Sequence, residues 1–145
     1  MMINCFSAST AEESLLTEPY AMIDGASSGN PGLAGIGGFI IKECSLADLW
    51  SIKIGVTTNN VAEYRALMEC LLRAKKLGIR KLKIYTDSEL LKKQIKGEYQ
   101  IKEKKLKLWY SKIMKLKKYV DFEISLVKRE KNKIADRLAK LAIKK

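Results

Sequence analysis

Five stretches of the chain have the hydrophobic pattern of β-strands. The predicted strands cover residues 20–24, 35–41, 49–56, 81–86 and 120–126. The first is almost wholly apolar up to Asp24, which is typical of a buried strand, whereas the third and fifth alternate apolar and polar side chains. The short gap between the second and third strands favours an antiparallel hairpin.

Four further segments have apolar residues at the spacing of α-helices. The first begins at residues 57–60 and ends near Leu77, and the second is capped by Ser88 and ends near Gly97. The third and fourth cover about 102–118 and 131–143. A meander of strands followed by alternating helices and strands predicts an α/β protein with a mixed sheet covered by helices.

Length and charge narrow the class of protein. The 145 residues fit one domain, and no apolar run approaches the roughly 20 residues of a membrane helix. Residues 1–72 carry 3 basic and 8 acidic side chains, whereas residues 73–145 carry 25 basic and 8 acidic ones. So basic a half is typical of proteins that bind phosphates, although a solvated lysine-rich surface is the alternative.

The N-terminus and the cysteines bear on location. Residues 1–18 have neither a basic start nor a long apolar stretch, so they predict a polar leader that we expect to be mobile, and not a signal peptide. The three cysteines are widely spaced and form no CxxC motif, which argues against a disulfide framework or a thiolate zinc site. The sequence therefore predicts a cytoplasmic protein whose folded domain covers residues 19–145.

Two aspartates follow predicted strands. Asp24 ends the first strand and Asp87 ends the fourth. If these strands are adjacent and parallel, their terminal carboxylates approach one another where ligands of open α/β sheets bind. The alternative is that aspartate is simply common in turns.

Two other acidic residues have good structural alternatives. Glu63 lies on the inward face of the first helix, but Asn60 three residues earlier completes a variant of the capping box, so Glu63 could equally satisfy the helix start. Asp136 lies in the last helix, whose predicted buried stripe is Ile134, Leu138, Leu141 and Ala142. Periodicity alone places Asp136 off that stripe, in solvent.

Four segments together resemble the type 1 ribonuclease H family from about Tyr20 to the C-terminus. They are Asp24-Gly-Ala-Ser-Ser-Gly-Asn-Pro-Gly32, Thr58-Asn-Asn-Val-Ala-Glu-Tyr-Arg-Ala-Leu67, Tyr85-Thr-Asp-Ser88 and Arg129-Glu-Lys-Asn-Lys-Ile-Ala-Asp136. The resemblance implies a ribonuclease H-like fold, a five-stranded mixed sheet with helices on both faces. It also implies that Asp24, Glu63, Asp87 and Asp136 are the catalytic, metal-binding carboxylates.

The resemblance further implies an endoribonuclease that cleaves the RNA strand of RNA–DNA hybrids by two-metal-ion hydrolysis, leaving 3′-hydroxyl and 5′-phosphate ends. The expected cofactor is Mg²⁺, bound as two ions, with Mn²⁺ as an alternative. The expected partner is the hybrid, with double-stranded RNA as an additional candidate, and the expected state is a monomer. The matching substrate-binding positions are Asn30, Thr58, Asn59, Asn60 and Arg129.

The chain departs from many members of that family in two places. It has no histidine, and Arg129 stands near the position where many members carry one before the last helix. Residues 97–102 leave no room for the basic helical handle of some members. Lysines of the 102–118 helix, including Lys104, Lys105 and Lys107, are the candidates for holding the substrate instead.

Overall fold

The computed structural model describes residues 18–145, so residues 1–17 of the predicted leader lie outside the described range. The strands are β1 (Tyr20–Ser27), β2 (Gly32–Lys42), β3 (Ser45–Thr57), β4 (Lys81–Thr86) and β5 (Asp121–Leu126). The helices are α1 (Asn59–Lys76), α2 (Glu89–Ile95), α3 (Lys104–Lys115) and α4 (Lys133–Ile143), with short 3₁₀ turns at Leu116–Lys118 and Arg129–Lys131. No helix within residues 18–145 is long and apolar enough to cross a membrane.

The five strands form one mixed sheet in the order β3-β2-β1-β4-β5. β1, β2 and β3 are antiparallel neighbours, whereas β4 is parallel to both β1 and β5. The predicted mixed sheet and its antiparallel hairpin are therefore confirmed. The hairpin turn places Glu43 and Cys44 at φ angles of 52° and 62°, as the tight turn between two strands requires.

The first two strands are longer than the sequence pattern predicts. β1 continues to Ser27 and β2 begins at Gly32, so the predicted turn over residues 25–32 contracts to residues 28–31. Ladder pairing carries both strands through their small residues, with Asp24 opposite Gly37. Asp24 therefore lies inside a central strand, and the prediction that it ends one is wrong.

Two helices pack on opposite faces of this sheet. α1 buries the predicted stripe of Leu67, Cys70, Leu71 and Ala74 in the main core, against β1 residues such as Ile23. The other face of β1, which includes Met22, packs with Ala135 of α4. Because side chains alternate along a strand, the central strand supplies both layers of the core.

The last helix is oriented differently from the predicted one. Its buried residues are Ala135, Ala139 and Ala142, whereas Ile134 is 60% exposed and Leu141 is 47% exposed. Alanines face the sheet because the helix lies very close to β2, where a Cβ on Gly37 would overlap the backbone of Ala139. The predicted stripe is therefore wrong for Ile134 and Leu141, right for Ala142, and only partly buried at Leu138.

The cysteines also differ in part from the expectation. Cys70 is free and fully buried within α1. Cys44 is disulfide-bonded, which the spacing of the cysteines did not predict.

Candidate active site

A cleft opens where the two central parallel strands separate. Ladder pairing of β1 with β4 ends at Met22 and Tyr85, and the same register sets Asp24 level with Asp87 two residues further on. Both carboxylates line a cleft of about 430 Å³. This is the crevice beyond the carboxyl ends of parallel strands where open α/β sheets bind ligands.

Glu63 reaches this cleft from α1. The backbone N–H of Gly25 donates a hydrogen bond to Glu63 Oε1 at 2.7 Å. α1 can approach β1 this closely because Gly25 has no side chain, since any Cβ there would overlap the backbone of Ala62. The N–H of a central strand therefore fixes one oxygen of Glu63 at the cleft.

The start of α1 does not use Glu63. Thr58 is the N-cap, and its hydroxyl accepts a hydrogen bond from the N–H of Val61 at 3.3 Å. The alternative in which Glu63 forms a capping box with Asn60 is therefore wrong, because the carboxylate of Glu63 accepts a hydrogen bond from the sheet.

Three of the four predicted carboxylates form a compact group. One oxygen each of Asp24, Glu63 and Asp87 lies within 4.8 Å of the others. Asp24 and Glu63 are both buried, and Glu63 Oε2 has no hydrogen-bond partner within residues 18–145. A buried carboxylate oxygen without a donor, beside two further carboxylates, fits a divalent cation that prefers hard oxygen ligands.

The electrostatics of this group favour a bound cation. Burial raises the pKa of Asp24, and the charges of Glu63 and Asp87 raise it further. Burial also raises the pKa of Glu63, but its contact with the Asp24 carboxyl and the hydrogen bond from the Gly25 N–H oppose that rise. A cation at the group would reverse the cost of holding these carboxyls ionised, because it replaces like-charge repulsion with attraction.

Asp136 completes the acidic lining of the cleft. It is half-buried in the first turn of α4, and hydrogen bonding between its carboxyl and that of Asp24 contributes to the raised pKa of Asp24. Lys140 pairs with its Oδ2 at 3.0 Å. The periodicity argument that left Asp136 in solvent is wrong, because alanines and not large apolar residues set the buried face of α4.

The five predicted substrate-binding residues lie at or near the cleft mouth. Asn59 and Arg129 are exposed and line the cleft, whereas Asn60 is half-buried in the first turn of α1. The side-chain oxygen of Asn30 accepts a hydrogen bond from the N–H of Asn59 at 2.9 Å, which ties the turn after β1 to the start of α1. Thr58 is occupied as the helix cap. Their contacts with a nucleic acid stay a prediction.

Lys140 and Asn132 both contact the acidic residues of the site, and neither was predicted from the sequence. Lys140 belongs to a lysine-rich helix, and nothing in its spacing sets it apart from its neighbours. Asn132 is buried just before α4, and its amide contacts both the backbone of β1 and the carboxylate of Asp87. The predicted helix over about 131–143 included Asn132, so nothing in the pattern set it apart from the other polar residues of that helix.

Comparison with known proteins connects this geometry to a family. A family model described as "Reverse transcriptase-like" matches residues 22–142. The structure of RNase H1 from Halobacterium salinarum superposes with a TM-score of 0.83 at 33% identity, covering 87% of this chain and 97% of that one. The chain belongs to the type 1 ribonuclease H family.

Other ribonuclease H relatives agree with this assignment. LC11-RNase H1 in complex with an RNA/DNA hybrid has a TM-score of 0.82 at 37% identity, covering 87% of this chain and 96% of that one. The bifunctional protein Rv2228c of Mycobacterium tuberculosis is 38% identical over 119 residues, which are 80% of this chain and 33% of that protein. The chain thus spans about a third of the length of this curated relative.

The ribonuclease H fold predicted from the sequence is confirmed. The five-stranded mixed sheet with helices on both faces matches the solved ribonuclease H structures. Within residues 18–145, the acidic group at the cleft comes from β1, α1 and the residue after β4. Sequence patterns predicted these elements, but only the family resemblance indicated that their acidic residues form one site.

Proposed function

We propose that this protein is an endoribonuclease that hydrolyses the RNA strand of RNA–DNA hybrids and leaves 3′-hydroxyl and 5′-phosphate ends. The main support is the convergence of Asp24, Glu63 and Asp87 within 4.8 Å at a cleft mouth that carries exposed basic side chains. The LC11 relative, which was solved with an RNA/DNA hybrid, supports the choice of substrate.

The proposed cofactor is Mg²⁺, with Mn²⁺ as an alternative ion. Asp24, Glu63 and Asp87 would hold it, and Asp136 lines the same cleft. Bound there, divalent ions supply an activated water for attack on the phosphate and stabilise the departing 3′ oxygen. The buried Glu63 Oε2, to which no group of the described part of the chain donates a hydrogen bond, is the observation that favours an ion over an ordinary hydrogen-bonded carboxylate cluster.

The chain's own residues would position the hybrid around this group. Arg129 is exposed and lines the cleft, so it can contact a backbone phosphate of a bound hybrid. The hydrogen bond from Asn59 to Asn30 holds two elements of the cleft rim at a fixed separation. α3 adds exposed lysines, which favour a polyanion through release of its counterions.

Reading of the 2′-hydroxyl is the step that makes the activity specific for RNA, because this group distinguishes RNA from DNA. Glu63 and the free amide N–H₂ of Asn30 are our candidates for that contact, since the oxygen of Asn30 is already bonded to Asn59. Double-stranded RNA is an additional candidate substrate, and we propose a monomeric state and a cytoplasmic location. Size-exclusion chromatography and imaging of a fluorescent fusion test these last two points.

The function is tested with end-labelled RNA–DNA hybrid, double-stranded RNA and double-stranded DNA, each with and without Mg²⁺. We expect hybrid cleavage that requires the ion, with a loss of at least about 10³-fold in Asp24→Asn, because a transition-state charge stabiliser is removed. The matched control is Asp121→Asn, which changes an exposed aspartate at the start of β5 and should cleave like the parent.

Each outcome of that assay has a definite meaning. Cleavage by Asp24→Asn at the parent rate would show that the acidic group is not the catalytic centre. Tight hybrid binding without cleavage under any metal would indicate a binding domain that keeps the fold without the reaction.

A further inference from the structure

Asn132 lies where three elements of the cleft meet. Its side chain is 1% exposed, at the junction between the 3₁₀ turn Arg129–Lys131 and α4. Its Nδ2 group donates to the backbone oxygen of Ile23 at 2.9 Å and to Asp87 Oδ2 at 3.2 Å. One amide therefore bridges β1, the residue after β4 and the start of the helix that carries Asp136.

Chemistry fixes the orientation of this amide. Both of its close neighbours, the carbonyl of Ile23 and the carboxylate of Asp87, can only accept hydrogen bonds, so the N–H₂ group must face them. The reverse orientation would set the amide oxygen against two acceptors. The two contacts use both hydrogens of Nδ2 and point them at the spot where β1 and β4 separate.

The side chain of Asn132 does not cap the helix that it precedes. Asparagine is a favoured N-cap, and Asn132 holds the N-cap position of α4, yet it makes no side-chain capping hydrogen bond. Its Oδ1 is buried without a partner among the described residues. A side chain placed only for stability would satisfy the helix end and its own oxygen, whereas this one satisfies neither and serves Asp87.

We propose that Asn132 is the positioning residue for Asp87. By holding Oδ2 of that carboxylate, it limits the rotation of the side chain and keeps the carboxylate beside those of Asp24 and Glu63. The bond to Ile23 sets the position of the amide from the residue next to Asp24. This inference rests on the proposed function, because it concerns how the same acidic group is prepared for a divalent ion.

The test measures Mn²⁺ binding without nucleic acid, by electron paramagnetic resonance, in variants whose folding is checked by circular dichroism. Asn132→Leu keeps the size of the side chain but removes the donor. We expect its Mn²⁺ affinity to fall about 10- to 100-fold, the usual range when a partner of a metal-binding carboxylate is removed. Cleavage should return as Mg²⁺ is raised, with the KM for hybrid within about twofold of the parent value.

A double-mutant cycle separates positioning from general destabilisation. If Asn132 acts through Asp87, Asn132→Leu should change Mn²⁺ affinity less than about twofold once Asp87→Asn is present. Ser51→Ala is the structural control, because Ser51 Oγ donates to the carbonyl of Leu138 at 2.6 Å and ties α4 to β3 away from the cleft. Equal losses of Mn²⁺ affinity in Ser51→Ala and Asn132→Leu would overturn the proposal.

A measurement on the unmodified side chain covers the case in which Asn132→Leu does not fold. The Asn132 side-chain amide resonances, followed by NMR during Mg²⁺ titration, should shift in the parent protein and stay fixed in Asp87→Asn. Resonances that do not respond to Mg²⁺ in the parent would overturn the proposal. Metal binding that follows these expectations, without hybrid cleavage, would instead refute only the proposed function.

Discussion

The acidic group at the cleft should destabilise the protein when no metal is bound. Replacing Asp24 by Asn keeps the size of the side chain and removes one of three charges whose oxygens lie within 4.8 Å of one another. At an effective dielectric constant near 20, two unit charges at that separation repel by about 3.5 kcal/mol. Uptake of a proton by the group relieves part of this repulsion.

We therefore expect Asp24→Asn to raise the free energy of unfolding by about 1–3 kcal/mol at pH 7.5 without metal, after this relief and solvent screening are subtracted. For a chain of this length, that corresponds to a rise in Tm of about 3–10 °C. The assay is thermal unfolding by circular dichroism in EDTA, with Asp121→Asn as the control for loss of an exposed aspartate.

The pH dependence of this gain has a definite sign. The folded state raises the pKa of Asp24 above its ordinary value of 3.8, so the folded protein holds a proton that the unfolded chain releases. Stability from this group is present in full below the unfolded pKa and declines as the pH rises toward the folded pKa. The stabilising effect of Asp24→Asn should accordingly be small at pH 4 and grow toward pH 8.

Bound metal should reduce or reverse the stability advantage of Asp24→Asn over the parent protein. Mg²⁺ binds the folded parent protein and raises its Tm by mass action, whereas the variant should gain less because it has lost one ligand. The reasoning is refuted if Asp24→Asn is less stable than the parent in EDTA at pH 7.5, or if its advantage does not change between pH 4 and pH 8.

Two further substitutions test how the fold supports the site. Gly25→Ala should cost about 2–3 kcal/mol of stability by overpacking and reduce cleavage about 100-fold, because its Cβ would overlap the backbone of Ala62 and displace Glu63. Unfolding in urea measures the loss of stability, and hybrid cleavage measures the loss of activity. Activity equal to that of the parent would contradict the argument that α1 needs a glycine at this close approach. Tyr64→Phe removes the hydroxyl that donates to Gln94 Oε1 in the core, so it should cost about 1–2 kcal/mol while cleavage stays within about twofold. A large loss of cleavage in Tyr64→Phe would mean that core stability, and not the cleft residues, limits the activity.

Local patterns in the sequence were sufficient for the elements of the fold. The predicted strand at 81–86 matches β4, and the helix ending before Gly78 matches α1, because side-chain periodicity and helix-ending residues act over a few positions. The strand that holds Asp24 was predicted three residues too short. Its glycine and small residues resemble a turn in isolation, and only pairing with β2 shows that they continue the sheet.

Local patterns did not predict the acidic group, and apart from the family resemblance only the tertiary structure shows it. Resemblance of four segments to a family identified Asp24, Glu63, Asp87 and Asp136, but periodicity placed Asp136 in solvent and capping competed for Glu63. The contact of α4 with Gly37 and the hydrogen bond from Gly25 decided both cases. These are contacts between residues far apart in the chain, which no local pattern records.

The sequence by itself determined the order of strands and helices, the basic half of the chain and the family to which it belongs. Only the tertiary structure decided which oxygens lie together, that alanines carry the buried face of α4, and that Asn132 contacts Asp87 instead of capping its helix. The physical reason is that secondary structure follows from neighbouring side chains, whereas a site is built where separate elements approach closely enough to exclude water and share hydrogen bonds.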